Sequence, residues 1–156
     1  MVDVRELLEY NKQVRQRYFQ ALSGIPWEEL TRNREASFNS IRNIFVHTLK
    51  AIDYWLDVLL KEHNCGVKKH EEYKSSEEIR EYKDFVEGRM QKCLAALPGK
   101  LFDKYVVRND LGENVEVSTE DILIHLFEEE VHHRGELIAL FWQMNCEPPL
   151  MSWKSL

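Results

Sequence analysis

One stretch near the carboxyl end restricts this chain more than any other: Ser118–Asn145, STEDILIHLFEEEVHHRGELIALFWQMN. It carries the longest unbroken helical pattern in the sequence. With Ile122 set at zero and an advance of about 100° per residue, Ile122, Leu126, Leu137, Leu140 and Met144 fall within an arc of about 60°. Glu129 and His133 lie in the same arc, one turn apart. An acid and an imidazole on a core-facing stripe need a partner, because an unpaired buried charge is expensive. A metal ion is one such partner, and its further ligand has to come from elsewhere in the chain.

At 156 residues and 18.6 kDa the chain is expected to fold as one domain over residues 1–156, with a genuine core. A formal charge of −6 and a pI near 5.6 argue against a non-specific nucleic-acid binder, which needs a basic face. Lys68-Lys69-His70 is too short a basic run to change that. The start, MVDVRELLEY, lacks the pattern of a signal peptide, and no apolar run approaches a membrane span. Cys65, Cys93 and Cys146 are odd in number and lack CxxC spacing. They read as reduced thiols, so a cytoplasmic location with no membrane partner is expected.

Residues 3–22 read as a first helix capped by Asp3, with Gly24 able to end it and Pro26 opening a short turn or one-turn helix. A second long helix is predicted over roughly 37–63, with Gly66 as its left-handed stop. Val67–Lys74 reads as a loop. Ser75 or Ser76 caps a third helix running to about Leu97, which is expected to bury Ile79, Tyr82, Phe85, Val86, Met90, Cys93, Leu94 and Leu97. Tyr105–Asn109 and Asn114–Val117 form the one strand-like segment, a hairpin turning at Asp110–Glu113. Ser118 then caps the last helix, with Asp121 as the reciprocal acid. Cys146-Glu147-Pro148-Pro149 ends it, and the tail LMSWKSL is expected to fold back over the helices. The fold class that follows is all-α: an antiparallel four-helix bundle with a small β-hairpin before the last helix.

His47 is the candidate third ligand. It sits mid-way along the second helix, at the edge of the apolar arc beside Ile44 and Ala51. One His from one helix can meet an i, i+4 pair from another at a point. Three protein ligands with an open position describe a catalytic metal site. His47, Glu129 and His133 suit zinc, nickel, iron or manganese, and spacing does not choose among them. The bland reading is that Glu129 and His133 are only a helical ion pair. His125 would extend them into a ladder, but one spread over about 11 to 12 Å, so it reads as a pocket wall. His132 is expected to face solvent or a partner; His63 and His70 read as surface residues. A second apolar stripe on the last helix, Ile124, Phe127, Val131, Ile138 and Trp142, predicts a homodimer through this face. The alternative is that the tail, with Trp153, covers it.

The block EVHHRGELIALFWQMNCEPPL, preceded by YVVRNDLGENVEVSTEDILIHLF, resembles the DinB-like (DinB/YfiT) family of metalloenzymes across nearly the whole chain. The family signature is a His in the second helix and an HxxxHRG-type motif in the last. Transferred to this sequence, those ligands fall on His47 and His133, while the position four before His133, usually His, is Glu129. Glu is a competent ligand that shifts preference toward harder ions; without it, His125 or water would have to complete the sphere. The resemblance implies an up-down-down-up bundle, a homodimer, and a divalent ion in a cleft between helices. It further implies transfer of a small-molecule thiol onto an electrophile, and induction by DNA damage. Metal-dependent hydrolysis, or a metal-binding stress-response role without turnover, are the alternatives.

Overall fold

The computed structural model describes residues 3–100, 102–109 and 111–150. Five helices and one hairpin follow in order: α1 (Val4–Ser23), α2 (Trp27–Thr31), α3 (Ile41–Leu60), α4 (Ser76–Ala96), β1 (Lys104–Arg108), β2 (Asn114–Ser118) and α5 (Thr119–Gln143). Local chemistry sets the starts of the long helices. The side chains of Asp3, Ser40, Ser75 and Ser118 accept hydrogen bonds from backbone N–H groups of the first turns. Each satisfies a donor that the helix itself leaves free. At Ser118 the Asp121 carboxylate returns the bond to the Ser118 N–H, closing the expected capping box.

Helix α1 packs against α4 and α5, and α3 packs against the same two helices. Two apolar clusters fill the space between them. One gathers Val14, Tyr18, Ile44, Leu49, Leu137 and Phe141; the other gathers Leu8, Ile52, Leu56, Met90, Ile122 and Leu126, with Tyr105 and Val107 of the hairpin. The strands pair antiparallel with Lys104 opposite Ser118 and Arg108 opposite Asn114. Gly112 in their turn has φ of 79°, a conformation glycine adopts without a Cβ penalty.

Three expectations need correction. Helix α3 begins at Ile41, not near residue 37, because the chain before it is folded into its own turn. Asn33 Oδ1 accepts from Glu35 N–H at 2.9 Å, Arg34 N–H donates to the Asn39 carbonyl at 2.7 Å, and Glu35 and Asn39 have positive φ. Helix α3 also ends at a left-handed Lys61, not at Gly66. Asp57 accepts from the N–H groups of Asn64 and Cys65, and Asp53 from that of Gly66, so two carboxylates of α3 direct the exit. Finally, Phe85 is 48% exposed. The buried face of α4 carries Lys83, Glu87 and Arg89: Glu87 meets Arg15 of α1, Arg89 meets Asp53 of α3, and Lys83 pairs with Asp84 and Glu87 of its own helix. The expected fold-back of Met151–Leu156, including Trp153, lies outside the described residues.

Candidate metal centre

Helices α3 and α5 pack directly on each other, and their facing surfaces bring His47, Glu129 and His133 together. Each offers one ligand atom, and the three atoms lie within 4.8 Å of one another. Both imidazoles aim Nε2 at a single carboxylate oxygen, Glu129 Oε1, at 3.1 Å for His47 and 3.0 Å for His133. His133 is buried, whereas His47 and Glu129 are half-buried. Phe38 stacks on the His47 ring at 3.9 Å between centroids and meets His133 edge-on.

The second nitrogen of His133 is also engaged. Nδ1 lies 2.9 Å from Glu136 Oε2, the same oxygen that accepts the Ser37 hydroxyl at 2.9 Å. An ionised carboxylate only accepts, and His133 has one at each nitrogen, so a neutral ring donates to one of them and turns a lone pair toward the other. In the Nδ1–H tautomer the lone pair is on Nε2, facing the Glu129 oxygen at 3.0 Å. Two acceptors at that separation need a cation shared between them, a proton or a metal ion. The donor set therefore fits a divalent metal: two imidazole nitrogens and one carboxylate, with nitrogen and oxygen donors that suit transition ions.

Electrostatics agrees with that chemistry. Burial pushes the His47 pKa down, and the neighbouring His133 adds to this against the opposing pull of Glu129, so the ring favours its neutral, ligating form. Burial pushes the Glu129 carboxyl upward, but its contacts with His47 and His133 outweigh this and hold the group below the usual carboxylate range.

His47 and Glu129 line a cleft of about 1040 Å³ that runs along the α3–α5 groove to the hairpin. Tyr54, Trp55 and His125 form an aromatic wall, and Val107, Val115 and Val117 face it from the strands. His125 is thus a wall residue, as its spacing predicts, with its ring edge-on to Trp55 at 5.3 Å. His132 and His63 are exposed. His70 is not the surface residue that its loop position suggested. It is half-buried in the 3-10 turn His70–Glu72, lines the cleft, and sits 5.7 Å from the His47 ring. Sequence reasoning also missed Ser37, Phe38 and Glu136. For Glu136 a signal exists, since it follows His133 at i+3 on one helix face; for the other two none does. Arg134 is structural, donating to Asn11 Oδ1 at 3.2 Å with its charge over the Tyr10 ring.

A mostly helical chain with an inter-helix His/Glu/His cluster opening on a cleft defines a class of candidate metal-binding helical proteins. The chain belongs to the DinB family, whose sequence profile matches residues 1–155. No curated protein matches it. No helix among the described residues is long and apolar enough to cross a membrane.

Proposed function

We propose that this protein is a divalent-metal-dependent enzyme in which His47, Glu129 and His133 hold the ion and a small-molecule thiol is transferred to an electrophile in the adjoining cleft. The observation that carries this reading is the convergence of three donor atoms, from two helices, at the wall of an open cleft. A structural ion would be enclosed by protein ligands, whereas His47 and Glu129 face space large enough for an organic substrate. A divalent ion bound there supplies Lewis acidity, which favours the deprotonated form of a thiol or water near neutral pH. Glu129 contributes one negative charge and the two neutral imidazoles none, so the donor set leaves residual positive charge to attract an anionic nucleophile. The aromatic wall of Tyr54, Trp55 and His125 orients an apolar electrophile, and His125 is the wall group able to exchange a proton.

The wider architecture belongs to the same proposal. The mutual packing of α1 and α3 with α4 and α5 supports a single-domain antiparallel bundle of the up-down-down-up type. The exposed side chains of Ile124, Val131 and Trp142 support a homodimer through α5. The protein is taken to act in the cytoplasm, where free thiols such as Cys146 stay reduced.

Elemental analysis of the purified protein, with His47→Ala and His133→Ala, tests the centre: both variants are expected to lose the bound ion. Unchanged metal content in both would sink the assignment. Conjugation of low-molecular-weight thiols with a broad electrophile then tests the reaction. If the metal-loaded protein accelerates none of these conjugations but cleaves ester or amide probes, hydrolysis replaces transfer. If neither occurs, the protein is a metal-binding module without turnover.

A further inference from the structure

His133 uses both ring nitrogens, and the partner of the second has a consequence for the first. We infer that Glu136 and Ser37 are positioning residues that fix His133 in the Nδ1–H tautomer and so hold its Nε2 lone pair on the metal side. This rests on the metal reading above. Glu136 stands one turn after His133 on α5, and its Oε2 lies 2.9 Å from His133 Nδ1. Ser37 comes from the turn before α3, and its hydroxyl donates to that same oxygen at 2.9 Å. One carboxylate oxygen thus accepts from two donors, and the Ser37 contact holds the Glu136 side chain against the ring. The turn that delivers Ser37 is itself held by the Arg34 N–H donating to the Asn39 carbonyl at 2.7 Å and the Asn39 N–H donating to the Ala36 carbonyl at 2.9 Å. It also places Phe38 on His47, so one short segment braces both histidines.

A metal-ligating histidine that donates its other N–H to a carboxylate is oriented and made more basic by it. Without Glu136 the ring is free to rotate or to exchange tautomers, and Nε2 is no longer aimed at Glu129. His132, His133 and Glu136 also lie close enough to hold an ion. In the arrangement seen here, however, His133 Nδ1 and Glu136 Oε2 are already committed to each other, and His132 is exposed.

The test is zinc affinity by competition with a chromophoric chelator, read together with the His133 ring signals in long-range ¹H–¹⁵N spectra of the zinc-loaded protein. Glu136→Ala is expected to weaken zinc binding roughly 10- to 100-fold. Glu136→Gln, whose amide oxygen still accepts from Nδ1–H, is expected to fall between it and wild type. Ser37→Ala is expected to weaken binding about threefold, less than Glu136→Ala because the hydroxyl acts on His133 only through Glu136. Wild type should show a slowly exchanging Nδ1–H proton on His133 that is lost in Glu136→Ala. Glu136 is half-buried, and retained helicity by circular dichroism verifies that each variant folds. Wild-type affinity in Glu136→Ala, with His133→Ala still defective, overturns the positioning role and leaves the metal centre standing. A fall in stoichiometry from two ions to one at unchanged affinity also overturns it, placing Glu136 in a second site. Absence of zinc binding by wild type overturns both this inference and the metal reading.

Discussion

Glu129 and Glu130 are consecutive on α5 and point about 100° apart, into two different kinds of interior. Glu130 is buried against Arg15, whose guanidinium Nη1 reaches its Oε2 at 2.6 Å, and Glu87 and Lys83 complete that cluster. Burial acts against the Arg15 charge, but Glu130 and Glu87 overcome it and raise its pKa. Glu129 instead faces two imidazoles and the cleft, with no arginine or lysine ion pair among the described residues. One glutamate has a permanent counter-charge; the other has partners that carry charge only if protonated. A carboxylate surrounded by permanent cations is held in place and chemically quiet. One surrounded by neutral donors keeps its capacity for an added cation.

The largest effect is expected at Glu130. Replacing it with leucine leaves Arg15 buried beside only Glu87, and the expected loss is on the order of 3 kcal/mol in urea unfolding. Zinc retention by the folded protein should be little changed. A stability loss below about 1 kcal/mol would show that Glu87 alone suffices. Next comes the ion itself: zinc at 100 times its Kd is expected to stabilise wild type by about 2.7 kcal/mol. The gain should vanish in Glu129→Ala and His47→Ala but persist in Glu130→Leu. A zinc-induced shift in melting temperature that survives Glu129→Ala would move the site elsewhere.

A smaller effect is expected at Asp57, which extends the contrast to a third carboxylate. Burial pushes its pKa up, but the N–H groups of Asn64 and Cys65 and the Arg89 guanidinium outweigh this and hold it below the ordinary range. A carboxyl depressed on folding contributes stability that is complete above its unfolded pKa, about 4, and is lost as pH falls through the folded value. Asp57→Asn should therefore cost about 1 kcal/mol near pH 7 and flatten the acid limb of the stability profile below pH 4. An unchanged acid limb would remove Asp57 from the account. The least effect is expected at Phe85, where Phe85→Ser should shift stability by under about 0.5 kcal/mol; a larger loss would mean that its contact with Arg89, 5.7 Å from the ring, is more than a surface stack.

What could be read in the sequence was local or periodic. Asp3, Ser75, Ser118 and Asp121 act within three residues of themselves, so their capping roles were legible from spacing. Glu129 and His133 share a face of α5 because they are four apart, and His47 sits on the edge of the α3 stripe that meets it. The misses share a cause. Arg15 with Glu130, and Arg89 with Asp53, pair residues 115 and 36 positions apart. Spacing along α4 therefore does not mark Lys83, Glu87 and Arg89 as buried, and it places the exposed Phe85 in the core. His70, Ser37 and Phe38 reach the site from loops, whose paths follow tertiary contacts more than periodicity.

Spacing alone places the starts of α1, α4 and α5, the hairpin before the last helix, and His47, Glu129 and His133 on or beside the apolar arcs of their helices. These follow from short-range hydrogen bonds and the 3.6-residue repeat. Packing between segments brings both imidazoles to one Glu129 oxygen, sets His133 and Ser37 on one Glu136 oxygen, and pairs Glu130 with Arg15. Those outcomes depend on how α3 and α5 pack and how the turn before α3 folds, and ångström-scale distances between segments far apart in the chain leave no periodic trace.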